Sequence, residues 1–290
     1  MNFMTTIIRK LQEVPHMVTY ACPLKCDHCY LSAGERKTPI RRFTQDQADA
    51  FYDTYRPTVV SATGGDSLVE PELVRILARS TEKFGGALEL VTSGMLLKND
   101  FVRELTDINR GAFFQVSLDG LKDYHNGLRR DVNAFDAAMN AIDLCSATGR
   151  TTKVRMTVTA DNVGQIPEII SQLDRFSRSN IRLLMRPVIN AGRASRNSIG
   201  FVDTSSLSGF GGLPQHIWLE TVNSVGPCGN CIDTVAIDPQ GDIYDCVYFT
   251  FNPEYKIGSM YTTFNGLKRH RQFAEYMGRC YAREHYGVNG

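Results

Sequence analysis

Between residues 17 and 187 the chain alternates short β-branched apolar runs with stretches whose apolar residues recur at helical spacing. The runs at 17–21, 58–63, 88–92, 113–118, 153–159 and 181–186 are each followed by turn residues, as buried parallel strands are. The stretches at 44–55, 70–84, 100–109, 133–148 and 165–176 are amphipathic and could cover such strands. The first carries its own start and stop: Thr44-Gln45-Asp46-Gln47 reads as a capping box, and Pro57 excludes a longer helix. Strand-then-helix units in series predict an α/β fold, an open or partial (β/α)6 TIM-like barrel. Ligands on such sheets sit at the carboxyl ends of the strands.

After residue 190 the pattern breaks. Gly192, Ser195, Ser198, Gly200 and the Ser/Gly-rich run from Ser205 to Gly212 leave no period, so residues 196–225 read as a loop-rich linker. Further on, the runs 234–237 and 243–249 flank Asp238-Pro239-Gln240-Gly241 and predict a β-hairpin, followed by a helix at about 264–276. That piece has little apolar mass and calls for a staple. The expected organisation is a core barrel over 1–195, the linker over 196–225 and a small C-terminal hairpin-plus-helix domain over 226–290.

Charge changes this picture little. Among 290 residues, 32 Lys and Arg face 31 Asp and Glu, so no net field draws nucleic acid or an anionic membrane. The doublets Arg41-Arg42 and Arg129-Arg130 are too isolated for a nucleic-acid groove. No apolar run approaches a bilayer span, and the N-terminal residues lack the order of a signal peptide.

The cysteines change it more. Of eight, Cys22, Cys26 and Cys29 stand as C-x3-C-x2-C directly after the first predicted strand. A cubane cluster has four irons, each taking a thiolate, so three cysteines leave one iron open to a small molecule. Structural zinc favours paired C-x2-4-C knuckles, which this spacing fits poorly, yet three cysteines alone leave zinc open. A disulfide framework is disfavoured in a large chain without a secretory segment, and the thiols point to a reducing cytoplasm. Cys145 shares a helix face with Ala138 and Ile142 and reads as core.

The run from Cys22 to Cys29 resembles the C-x3-C-x-aromatic-C signature of the radical S-adenosylmethionine (radical SAM) family, with His28 at the ring position. The resemblance implies that the three thiolates hold a [4Fe–4S] cluster and that SAM chelates the fourth iron through its methionine amine and carboxylate. One electron then cleaves SAM to methionine and a 5′-deoxyadenosyl radical that abstracts hydrogen. It also implies that His28 lies near the adenine, against the plainer reading of a core histidine.

Further matches fall in order at strand ends. Thr63-Gly64-Gly65-Asp66-Ser67 stands where the family shows Gly-Gly-Glu-Pro, a segment that contacts the SAM amine; Asp66 is a shorter acceptor than the usual Glu. Thr92-Ser93-Gly94 is similar to the family's Thr-Asn-Gly. Ser117-Leu118-Asp119-Gly120 matches Ser-x-Asp-Gly, implying that Ser117 and Asp119 help hold SAM. His125 to Arg129 resembles His-x3-Arg, implying that Arg129 pairs with the SAM carboxylate, a geometry guanidinium suits. The alternatives are a plain turn for Ser117 and Asp119 and a solvated charge for Arg129. Arg186-Pro187 and Gly192-Arg193-Ala194 are loosely similar to a Pro-x-Gly-Arg-Ala-like element of larger relatives.

Cys228, Cys231, Cys246 and Cys280 remain. From Cys231 through Gly241 to Cys246 the pattern is C-x9-G-x4-C, which resembles the opening of the SPASM/Twitch extension of radical SAM enzymes. The full SPASM cysteine run does not follow. The resemblance therefore implies one auxiliary [4Fe–4S] cluster on those four residues, with a structural zinc on the same four as the alternative. Either would staple the tail.

An auxiliary cluster favours net oxidation or crosslinking over isomerisation. Similar enzymes divide into maturases of peptide or protein side chains and dehydrogenases of small molecules such as aminocyclitols. The Cys26-Asp27-His28-Cys29-Tyr30 run leans toward the peptide class. Val247 follows Cys246 where sulfatase-type maturases carry an acid, which counts against formylglycine formation. About fifteen residues precede the first predicted strand, so recognition of a peptide is expected from the barrel or a separate protein. A flavodoxin or ferredoxin is the implied reductant. The non-enzymatic alternative is an electron-transfer protein, supported by the departure at Asp66-Ser67.

Overall fold

The computed structural model describes residues 7–35, 40–202, 218–221, 233–268 and 285. After β1 (Ile7–Ile8), strand and helix alternate: β2 (Glu13–Thr19), α1 (Gln45–Tyr55), β3 (Val59–Gly64), α2 (Pro71–Lys83), β4 (Ala87–Thr92), α3 (Asn99–Ile108) and β5 (Phe113–Ser117). Then come α4 (Lys122–Arg129), α5 (Ala134–Ala147), β6 (Thr152–Val158), α6 (Ile166–Asp174), β7 (Ile181–Pro187) and α7 (Arg193–Arg196). The remaining elements are strands: β8 (Trp218–Thr221), β9 (Ala236–Ile237), β10 (Asp242–Tyr244), β11 (Lys256–Ser259) and β12 (Leu267–Lys268). Strands β2 to β8 run parallel in chain order within one sheet, as the alternating pattern predicts.

Each barrel strand has two unlike faces. In β6, Val154, Met156 and Val158 are buried in the apolar core, while Lys153, Arg155 and Thr157 alternate with them and face the other way. The core joins that apolar face to helix residues such as Phe51, Tyr52, Leu77, Ile142 and the fully buried Cys145. The capping box of α1 forms: Gln47 N donates to Thr44 Oγ1 at 3.3 Å and Thr44 N to Gln47 Oε1 at 3.0 Å.

Four departures from expectation have physical causes. Strand β2 begins at Glu13, earlier than residue 17, because its polar side chains find partners inside. His16 Nδ1 lies 2.7 Å from the Tyr52 hydroxyl, and Glu13 Oε1 lies 3.3 Å from Ser61 Oγ. Helix α4 was not anticipated, since Asn126 and Gly127 are poor helix formers; tertiary bonds from His125 and Arg129 hold it. The loop-rich stretch contributes α7 and β8, both too short to show a period. Of the helix expected at 264–276, Leu267–Lys268 instead forms β12, antiparallel to β1, and residues 269–276 lie outside the described set.

The hairpin forms, with Ile237 paired to Ile243 and Ala236 to Tyr244. Asp238 Oδ1 accepts from the Gln240 and Asp242 amides, both at 2.9 Å, and Gly241 takes φ +80°. It does not stand apart. Strand β9 pairs parallel with β2 through His16 and Ile237, extending the barrel sheet to the order β11-β10-β9-β2-β3-β4-β5-β6-β7-β8. Val235, Ile237, Ile243, Met260 and Leu267 belong to the main core.

Candidate functional site

The cysteine loop leaves the carboxyl end of β2 and is clamped from two sides. On one side, the β3 terminus presses Gly64 against Thr19 O and Gly65 against Ala21 O, so a Cβ at either position would strike backbone. Gly65 N donates to Thr19 O at 2.8 Å and Asp66 N to Ala21 O at 3.0 Å. On the other side is the segment after β7. Gly192, at φ +61°, lies against the carbonyls of Cys29 and Tyr30, and Arg193 N donates to Cys29 O at 2.9 Å.

Arg193 completes that clamp. Its Nε donates to Cys26 O at 2.7 Å, and its Nη1 to Ala33 O at 2.9 Å and Glu35 Oε1 at 3.0 Å. The loose sequence match at Gly192-Arg193 therefore marks the residue that fixes the shape of the cysteine loop. Its distance in sequence hid that role.

The His-x3-Arg spacing also finds its reason. One helical turn puts His125 and Arg129 on the same face of α4, and both meet Asp119. The Asp119 amide donates to His125 Nδ1 at 2.9 Å, while Arg129 donates from Nε at 2.8 Å and Nη2 at 2.6 Å to Asp119 Oδ2. Thr157 N donates to Asp119 Oδ1 at 2.9 Å, and His28 Nε2 stands 3.6 Å from Oδ2. Burial would raise the Asp119 carboxyl, but Arg129, His28, His125 and the Thr157 amide outweigh it and hold it below the usual range. Burial pushes His28 down to about 4, with Asp119 opposing and Arg129 adding to the shift, so the ring is neutral at pH 7. Its Nδ1 is buried without a partner among the described residues.

Cys22, Cys26, Cys29, His28, Gly64, Gly65, Ser117 and Arg129 all line one cavity at the strands' carboxyl ends. Two expected SAM-binding residues, Asp66 and Asp119, do not line it. Asp66 is buried and accepts from Leu68 N, Thr92 Oγ1, Ser93 N and Ser93 Oγ, tying the ends of β3 and β4 together. Asp119 works through Arg129 and His28. Both carboxylates are used by protein donors. Arg129 is likewise held by Asp119, and its Nη1 reaches Cys26 Sγ at 3.9 Å. Residues the sequence did not single out also line the cavity: Tyr30, Gln115, Arg155, Thr157 and Tyr248. Alternation along β5 and β6 was the available signal for Gln115 and Arg155.

The donor set fits an iron–sulfur cluster. Burial pushes the Cys22 thiol up to about 11 and the Cys26 thiol to about 12, so they are not free nucleophiles, whereas a coordinating metal deprotonates a thiol outright. Among the described residues, no three His, Cys, Asp or Glu side chains converge on a single-ion site. A cubane takes thiolates at separate irons, and three cysteines leave its fourth iron open.

Of the second cysteine set, Cys246 is described and half-buried; Cys228, Cys231 and Cys280 lie outside the described residues. Cys246 packs beside Tyr244, Phe249 and Tyr255. The residues after it reach the first loop: the Tyr248 ring stands edge-on to Tyr30 with centroids 5.0 Å apart, and Val247 and Phe251 pack with Met17, Tyr20 and Leu31. No helix among the described residues is long and apolar enough to cross a membrane.

Known proteins share this architecture. The chain is 27% identical over 181 residues to Fe-coproporphyrin III synthase of Methanosarcina barkeri, covering 62% of this chain and 44% of that protein. It is 26% identical over 266 residues to mycofactocin maturase MftC of Mycobacterium ulcerans, covering 84% of this chain and 70% of that one. Streptococcus suis SuiB bound to S-adenosylmethionine matches with a TM-score of 0.67 at 16% identity, over 88% of this chain and 64% of SuiB. SuiB bound to precursor peptide SuiA matches at 0.63 and 13% identity, over 88% of this chain and 63% of SuiB. This chain thus spans less than half the length of the first relative and about two thirds of the others. The radical SAM superfamily pattern itself matches residues 17–173, from within β2 through most of α6 and more than half of the molecule. With its cysteine loop at the mouth of a parallel-strand barrel, the chain belongs to the radical SAM superfamily.

Proposed function

We propose that this chain is a radical SAM enzyme that oxidatively modifies or crosslinks a peptide or protein side chain. The observation that carries the reading is the single cavity holding the C-x3-C-x2-C thiols, the neutral His28 and the Asp119-held Arg129. Cys22, Cys26 and Cys29 would hold a [4Fe–4S] cluster, with S-adenosylmethionine beside it. When bound, that pair supplies a reductively generated 5′-deoxyadenosyl radical able to abstract hydrogen.

The chain's own residues do the rest. Arg193 and the glycine contacts keep the thiols in place before loading, so little ordering remains to be done. Asp119 orients Arg129 along the cavity wall and keeps a carboxylate beside His28. Ser117 and the Gly64-Gly65 backbone offer polar contacts on the same wall. Tyr30, Leu31 and Tyr248 cover it with ring and aliphatic surface that excludes water, which a radical needs.

The peptide reading draws on MftC, a maturase matched over 84% of this chain, and on SuiB, which binds a precursor peptide. Fe-coproporphyrin III synthase, matched over 62%, motivates the second reading of a small-molecule substrate. An auxiliary cluster on Cys228, Cys231, Cys246 and Cys280, an external flavodoxin- or ferredoxin-type reductant and a separate peptide-recognition protein belong to the same proposal.

The test has two parts. Anaerobically reconstituted protein, reduced and given SAM, is expected to release 5′-deoxyadenosine; none at full iron content would favour an electron-transfer role. In the Cys22/Cys26/Cys29→Ala variant, about four irons should remain on an auxiliary cluster. Zinc in their place would make the tail's site structural.

A further inference from the structure

The inner face of the barrel carries charge in two layers. In the deeper one, Lys153 Nζ meets Glu89 Oε1 at 2.9 Å, and Ser61 Oγ lies 2.6 Å from Glu89 Oε2 and 3.3 Å from Glu13 Oε1. Lys153 pairs with Glu89 there, and burial together with Glu89 raises the Glu13 carboxyl. Two residues further along β6, toward the mouth, stands Arg155.

Among the described residues, the arginines lining the cavity are Arg129, Arg155, Arg186 and Arg193, and no Asp or Glu lines it. Arg129 is paired with Asp119, and Arg193 with Glu35 and two carbonyls. Arg186 has partners of its own and acts on Glu13. Arg155 differs: among the described residues its half-buried guanidinium makes no hydrogen bond or ion pair, and it acts only through space on His28 and Tyr30. A guanidinium partly removed from water without a counter-charge is unfavourable unless a ligand supplies one. Its planar fork suits a carboxylate.

We propose that Arg155 is the carboxylate receptor of this cavity, pairing with a carboxylate brought in by a ligand. Two ligands could bring it: the methionine moiety of SAM, or an acidic side chain or C-terminus of the peptide. Its register neighbour Ser117, opposite it on β5, would add a hydroxyl to the same anion. The inference rests on the radical SAM reading only for the identity of the first ligand.

The experiment compares wild type, Arg155→Gln and Arg155→Lys as reconstituted holoproteins of equal iron content, by equilibrium dialysis. The probes are SAM, decarboxylated SAM, and N-acetylglycine against its amide in the presence of SAM. If SAM supplies the carboxylate, Arg155→Gln weakens SAM about tenfold or more and leaves decarboxylated SAM unchanged. If the substrate supplies it, SAM affinity holds while wild type binds N-acetylglycine over the amide and Arg155→Gln loses that preference. Arg155→Lys, which keeps the charge without the fork, falls between wild type and Gln in either case. Unchanged binding of every probe at full iron content overturns the proposal. Failure to assemble the cluster in wild type would instead overturn the functional reading.

Discussion

Two cysteine-bearing segments meet at the barrel mouth, and the fold treats them differently. The loop carrying Cys22, Cys26 and Cys29 has its backbone fixed by Arg193, by the β3 terminus and by Gly192. Contacts that hold the segment after Cys246 include ring packing, Phe249 N to Cys246 O at 3.0 Å, Tyr20 Oη to Thr250 O at 3.4 Å and Thr250 Oγ1 to Met17 Sδ at 3.7 Å. Three ligands within eight residues can be ordered by the fold itself. The four cysteines of the proposed auxiliary site are spread from Cys228 to Cys280, and a cluster bound there would contribute to their ordering. The first segment is preorganised; on the proposed reading the second would depend on its occupant.

The comparison breaks most easily at Asp119. Replacing it with Asn leaves the Arg129 guanidinium buried without its counter-charge, which should cost about 3–5 kcal/mol. Urea unfolding of the apo protein reads this directly, and a loss under 1 kcal/mol would mean the α4 node does not brace the loop. Next in size, Gly192→Ala should cost about 2 kcal/mol through strain and backbone overlap, and should slow cluster incorporation, followed as iron bound over time. Normal loading would show that the loop shapes itself around the cluster.

The pH dependence tests both regions together. His125 lies in the clamped node and His16 at the seam where β9 joins β2, and burial lowers each to about 3. Below about pH 6.5 the unfolded chain therefore takes up protons that the folded chain refuses. Stability should be complete above that pH and fall toward pH 3, by about 2 kcal/mol per histidine at pH 5. Urea midpoints from pH 7.5 to 5 measure the fall, and His16→Gln should make it shallower.

The smallest effect belongs to the tail. Cys246→Ser should change apo stability by less than about 1 kcal/mol while removing about four irons from loaded protein. A large apo destabilisation, or unchanged iron, would erase the contrast between the two segments.

Much of the barrel was legible in the chain, because each strand needs apolar residues on the face that meets the helices and each helix needs one apolar face. The capping box at Thr44 and the core position of Cys145 were readable for the same local reason. Helix α4 was not, since its support comes from Asp119 rather than from its own residues. The hairpin turn was visible in Asp238-Pro239-Gln240-Gly241, but its union with β2 was not, because pairing with a strand more than 200 residues away leaves no local period.

By itself, then, the sequence determined the strand–helix series, the family and the three thiols, all carried by spacing within a few residues. Only the tertiary structure decided that Asp66 and Asp119 bond to the protein, that Arg193 clamps the cysteine loop, and that Arg155 has no counter-charge among the described residues. Those roles depend on which donor meets which acceptor across distant segments, and burial makes each pairing count; side-chain type at one position cannot specify it.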